Sequence, residues 1–172
     1  MPYLIIRKDI EKVVKLVNDK KNIIIFGEFG NGKTIFLKEL ASHLARNGLN
    51  VYVLEDGEGD YIGDLEKFIS LNFEFVLIID GYDKYLDFIE HFGKLNPNKI
   101  RLVLSSRTGG HEHSRSVLNK IKILNFREIN IDLLGEEEIY FFIKIIDNIG
   151  RWGDDARSQT IKALQIEKDF KN

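Results

Sequence analysis

One stretch restricts this chain more than any other. An apolar run, Ile23-Ile24-Ile25-Phe26, breaks into Gly27-Glu28-Phe29-Gly30-Asn31-Gly32-Lys33-Thr34. The pattern is G-x-x-x-x-G-K-T. Glycines at these places let the backbone curl so that successive N–H groups point inward at phosphate oxygens. Lys33 adds a cation for the outer phosphates, and the Thr34 hydroxyl is a ligand suited to Mg²⁺. Apolar residues then recur helically at Leu37, Leu40, Ala41, Leu44 and Ala45, and Asn47-Gly48 supplies a C-terminal stop. A helix opening at Lys33 directs its N-terminal dipole and unpaired N–H groups at the same anion. The spacing therefore predicts a nucleotide site contacted by residues 27–34 and by Ile35, with Thr34 facing the metal. The alternative is a glycine-rich strand-to-helix turn that holds nothing.

The flanking sequence sets that loop in a repeating frame. Ile10, Val13, Val14 and Val17 form the apolar stripe of a helix with Asp9 near its start. Residues 22–26 read as a first strand and residues 49–55 as a second, followed by an acidic turn, Asp56-Gly57-Glu58-Gly59-Asp60. A helix carrying Ile62, Leu65, Phe68 and Ile69 comes next. Phe75-Val76-Leu77-Ile78-Ile79 is a continuous apolar run, the mark of a strand covered on both faces. A helix with Tyr85, Phe88, Ile89 and Phe92 ends at Asn96-Pro97-Asn98, and Ile100–Leu104 is a fourth strand leading into Ser105-Ser106-Arg107. Residues 108–120 read as loop at their start, because of Gly109-Gly110, and as helix later. A fifth strand falls within 128–131. Alternating strands and helices imply βαβ units, hence an α/β fold: a central parallel sheet with helices on both faces.

After Asp132 the pattern changes. Residues 136–147 form a helix whose stripe of Ile139, Phe142, Ile143 and Ile146 is widened by Tyr140, Phe141 and Ile145. That much apolar surface predicts a partner there, either a second copy or an additional domain. Residues 154–168 are helical by propensity and weakly patterned. The expected division is a nucleotide-binding core at 1–132 and a helical segment at 133–172.

Composition narrows the function classes. At 172 residues the chain can bury a core without staples, and it has no cysteine, so disulfides, thiolate metal sites and Cys nucleophiles are all excluded. A formal charge of −2, with Lys and Arg spread along the chain, gives no nucleic-acid stripe. No apolar run is long enough to span a bilayer, so a cytoplasmic location is expected.

Phosphate binding becomes hydrolysis only with a second acidic element. Asp80 ends the buried run, which places its carboxylate at the carboxyl edge of the sheet, where open α/β folds bind ligands. An acid facing the Thr34 metal is the Walker B arrangement. Asp83 follows three positions on and is suited to orient or deprotonate water. Both acids are also ordinary helix caps at such a turn. Arg107 lies just past the fourth strand. With that strand beside the phosphate-loop strand, its guanidinium would reach the γ-phosphate; otherwise it is a solvent-facing loop arginine.

In that order, Gly27–Thr34, Ile78-Ile79-Asp80-Gly81-Tyr82-Asp83 and Leu104-Ser105-Ser106-Arg107 resemble the STAND class of P-loop ATPases within the AAA+/ASCE group, its NACHT-like members especially. Ile6-Arg7-Lys8-Asp9 is similar to the opening motif that borders the adenine pocket in that class, which makes Arg7 a nucleotide contact. Residues 129–142 look like the strand and helix leading into the helical lid. The resemblance implies ATP or ADP with Mg²⁺, slow hydrolysis and a nucleotide-controlled switch over oligomerisation. It also implies a strand order of 5-1-4-3-2, with the Arg107 strand between the two Walker strands. The chain departs from the class at Lys84, where a second acid is usual, lacks a glycine before Arg7, and has no G-x-P lid motif. It reads as the core of a longer protein, with a small stand-alone variant as the alternative.

Other groups carry less. His111-Glu112-His113 has poor spacing for a metal site and reads as a solvated loop near the nucleotide. The acidic turn lacks the positions of a calcium loop. Trp152 reads as a packing anchor. Two further functions stay open: an AAA+ remodelling motor or loader, and a module that binds nucleotide without hydrolysing it.

Overall fold

The computed structural model describes residues 7–55, 59–70, 72–132, 134–148 and 159–171. Trp152, the centre of the acidic turn and the opening Ile6 lie outside them. In chain order the elements are α1 (Asp9–Asn18), β1 (Ile23–Gly27), α2 (Lys33–Arg46), β2 (Asn50–Leu54), α3 (Tyr61–Ser70) and β3 (Phe75–Asp80). There follow α4 (Leu86–Leu95), β4 (Ile100–Arg107), α5 (Thr108–Lys120), β5 (Arg127–Asn130), α6 (Glu136–Asn148) and α7 (Gln159–Lys171).

The strands form one five-stranded sheet in the order β2-β3-β4-β1-β5, the expected 5-1-4-3-2 read from the other edge. Every pairing is parallel. Register places Gly27 opposite Arg107 and Asp80 opposite Ser105, so the carboxyl ends of β1, β3 and β4 finish at one level.

Apolar side chains point to both faces of the central strands, which is why those strands read as unbroken runs. Ile24, Leu77, Ile79, Leu102 and Leu104 pack with Leu65 of α3, Phe88, Ile89 and Phe92 of α4, and Leu118 of α5. On the opposite face Ile23, Ile25, Val76, Ile78 and Val103 pack with Ile10, Val13 and Val17 of α1 and Phe36, Leu37, Leu40 and Leu44 of α2. Each such side chain contributes about 1.5–3 kcal/mol by leaving water, which outweighs the modest propensities of the helices.

Two expectations need revision. Residues 108–120 are helical from the first residue, so Gly109-Gly110 is the opening turn of α5 and not a loop. Close approach explains the glycine: a Cβ at Gly110 would lie 2.6 Å from Ser106 Oγ and 3.1 Å from Asp83 Cγ. The His111 ring is fully buried instead of solvated. It stacks on Phe26 with centroids 4.6 Å apart.

α6 and α7 pack on each other through Ile139, Ile143 and Ile166, with Phe142, Ile146 and Ala163 alongside. The weakly patterned last helix thus covers much of the stripe that called for a partner. Tyr140 and Phe141 of α6, and Ile161 and Leu164 of α7, remain exposed. Among the described residues no helix is long and apolar enough to cross a membrane.

Candidate functional site

β1 ends at Gly27, and the chain curls through Gly30 and Gly32 at φ +85° and +76° before α2 begins. These left-handed values are cheap only for glycine, which accounts for the two residues at those places. Gly32 caps α2 with no side-chain hydrogen bond, leaving the first-turn N–H groups to face the loop. The Lys33 ammonium donates to the carbonyls of Gly27 and Glu28 at 2.8 and 2.6 Å. Burial in the loop pushes it below its usual 10.5, while the Asp132 and Asp80 carboxylates oppose that shift.

The acidic side is built from the neighbouring strand ends. Thr34 Oγ1, in the first turn of α2, donates to Asp80 Oδ2 at the end of β3 at 2.6 Å. Ser105 donates to the other Asp80 oxygen, and Ser106 donates to Asp83 Oδ1. The two serines at the end of β4 therefore orient the two acids. Thr34 and Asp80 together present hard oxygen donors at a helix N-terminus. That donor set fits Mg²⁺, a cation that takes one or two protein oxygens and completes its shell from phosphates and water. Among the described residues no group of three or more His, Asp or Glu is placed to hold a metal ion, the His111-Glu112-His113 candidate included.

A cleft of about 700 Å³ lies over these groups, large enough for a nucleotide. Phe29, Gly30, Gly32, Lys33, Thr34 and Ile35 line one side, and Asp80, Gly81, Asp83, Lys84, Ser106, Arg107 and Gly110 the other. Arg107 stands beside the phosphate loop, opposite Gly27 in the register of β4 and β1. Its guanidinium carbon lies 4.6 Å from the centre of the Phe29 ring, a cation–π contact at the cleft mouth.

Some expected contacts fall elsewhere. Arg7 is buried outside the cleft lining, donating from Nη2 to the Ile131 carbonyl at 2.7 Å, with Nε 3.1 Å from Glu138. Glu28 and Asn31 turn toward Asp132: its Oδ1 accepts from the Glu28 N–H, and from Asn31 Nδ2 at 2.8 Å.

Sequence reading missed Asp132, which lies far along the chain and belongs to no motif. It also missed the support beneath Asp83. Tyr82, fully buried, is hydrogen-bonded through its hydroxyl to His111 Nδ1 at 2.7 Å. Burial, then the Asp83 charge, push that hydroxyl well above its usual 10.0, so it stays neutral.

Parallel strands in this order, with the loop between β1 and α2 and an acid ending β3, decide the architecture. The chain has the α/β fold of P-loop NTPases. No family model matches it, and no curated protein matches it in sequence. Solved structures of AAA+/ASCE P-loop ATPases do match in fold. Saccharomyces cerevisiae Hsp104 in its casein complex aligns with TM-score 0.64 and 12% identity over 95% of this chain and 36% of that one. Aeropyrum pernix ORC2 in its ADP form gives 0.54 and 13% over 84% and 53%. AMPPCP-bound DnaA from Aquifex aeolicus gives 0.53 and 18% over 94% and 57%. The chain thus spans between 36% and 57% of these neighbours. At such identities the likeness is one of fold.

Proposed function

We propose that this chain is the ATP- and ADP-binding core of a STAND-class P-loop ATPase, a nucleotide-controlled signalling switch with slow Mg²⁺-dependent hydrolysis. The observation that carries the reading is the Thr34–Asp80 hydrogen bond, set between Lys33 and Arg107 at the carboxyl edge of the sheet. Loop N–H groups and Lys33 hold the phosphates, and Ile35 contacts the nucleotide at the start of α2. Thr34 and Asp80 would hold Mg²⁺, which supplies charge neutralisation on the phosphate oxygens. Asp83, oriented by Ser106, accepts a proton from the attacking water at its free oxygen. Arg107, released from Phe29, pairs with the terminal phosphate and so distinguishes triphosphate from diphosphate.

Residues 1–132 form the core in this reading, and residues 133–172 the start of a helical lid. Arg7, at the junction with α6, borders the base. Exposed Tyr140 and Phe141 offer a surface for self-association or for another domain, in a cytoplasmic protein. The ADP form of ORC2 and the AMPPCP-bound form of DnaA support ADP and ATP as ligands. A second reading, a module that binds nucleotide without hydrolysing it, is favoured by one observation. Lys84 lines the cleft directly after Asp83, an ammonium where the class usually carries an acid.

Phosphate release from ATP and Mg²⁺ separates them. Slow release by the native chain that falls about a hundredfold or more in Asp83→Asn supports the ATPase. ADP binding with no release in either protein supports the module.

A further inference from the structure

Asp132 stands two residues beyond β5, and the surrounding structure fixes its position. The Ile131 N–H donates to the Phe26 carbonyl at 3.0 Å, continuing the ladder with β1. The Ile131 carbonyl accepts from Arg7 at 2.7 Å, and the Asp132 N–H donates to Asn130 Oδ1 at 2.7 Å. Arg7 is in turn held by the buried Glu138 of α6, whose Oε1 also accepts from the Lys8 N–H at 3.0 Å.

From this anchored place the carboxylate reaches the phosphate loop at two points, the Glu28 N–H and the Asn31 side-chain amide. Lys33 takes the carbonyls on either side of that same N–H. The Gly27–Glu28 corner is therefore gripped by an anion on its donor and a cation on its acceptors. Gly27 itself has no room for a side chain, since a Cβ would lie 2.5 Å from Asp132 Oδ1. Neither Glu28 nor Asn31 lines the cleft, so Asp132 acts on the loop and not on a ligand.

We infer that Asp132 is the positioning residue of the phosphate loop, holding the Glu28–Asn31 segment in its binding shape before any phosphate arrives and tying it, through Arg7 and Glu138, to α6. The inference rests on the nucleotide reading for its consequence but not for its geometry. A loop ordered in advance saves the ordering cost at the moment of binding, so the pin raises affinity for a phosphate-bearing ligand. The negative charge itself opposes that ligand. Removing the pin and removing the charge therefore have different effects.

Asp132→Asn keeps a carbonyl acceptor and loses the charge; Asp132→Ala loses both. Two readouts on the full chain test this: amide hydrogen exchange at Glu28, and titration with ADP. Asp132→Ala is expected to speed exchange at Glu28 by about tenfold or more and to weaken ADP binding by about tenfold. Asp132→Asn is expected to keep exchange slow and to bind ADP at least as tightly as the native chain. Native exchange at Glu28 in Asp132→Ala overturns the inference, as does equal loss in both variants. A native chain that does not bind ADP defeats the nucleotide reading alone, because the exchange measurement still decides whether Asp132 holds the loop.

Discussion

Thr34 and Asp80 are joined by a 2.6 Å hydrogen bond that runs from the first turn of α2 to the end of β3. It binds together two segments 46 residues apart and places a hydroxyl and a carboxylate where one divalent cation can take both.

Metal dependence follows from this pair. Asp80→Asn keeps the shape but offers a neutral oxygen, which Mg²⁺ holds poorly. ADP titrations with and without MgCl₂ are expected to show binding weakened about 10- to 100-fold with metal present and little changed without it. Equal losses in both conditions would make Asp80 a structural residue only.

The Arg107–Phe29 contact sets a second expectation. If Arg107 pairs with the terminal phosphate as proposed, Arg107→Ala removes that charge, and the ATP-to-ADP affinity ratio is expected to fall to within about twofold of unity. Arg107→Lys should recover part of it, because a point charge replaces a planar fork. Paired titrations with ATP and ADP read the ratio directly.

Tyr82 links stability to pH. Its hydroxyl is raised from 10.0 in the fold by burial and by Asp83. The folded state thus retains a proton that the unfolded chain loses near pH 10, and stability from this group is present below that pH and declines above it. Urea unfolding between pH 8 and about 11 is expected to show that decline. In Tyr82→Phe it should be shallower, from a starting point about 1–3 kcal/mol lower because His111 Nδ1 loses its partner. Equal slopes would mean that another group carries the dependence.

What could be read in advance was local. The loop Gly27–Thr34, the apolar strands ending in Asp80 and Arg107, and the helix stripes are short-range patterns, and they place the fold and the cleft. The strand order came from the motif order through resemblance, not from spacing. The misreadings are all tertiary. Gly109-Gly110 looked like loop because glycine is a poor helix former, yet Ser106 and Asp83 leave no room for a Cβ at Gly110. His111 looked solvated because nothing near it in sequence reveals Phe26 and Tyr82. Asp132 meets Glu28 across 104 residues, a separation at which no motif can speak. The helix over 159–171 carries too weak a stripe to announce that Ile166 would cover Ile139 and Ile143.

The most direct measurement is thermal unfolding of the native chain and of Lys33→Ala, each with and without ATP and Mg²⁺. A ligand at about a hundred times its Kd stabilises by about 2.7 kcal/mol, which for a chain this size raises Tm by roughly 5–11 °C. The native chain is expected to show that rise and Lys33→Ala none. A full rise in Lys33→Ala would place the nucleotide somewhere other than the loop between β1 and α2.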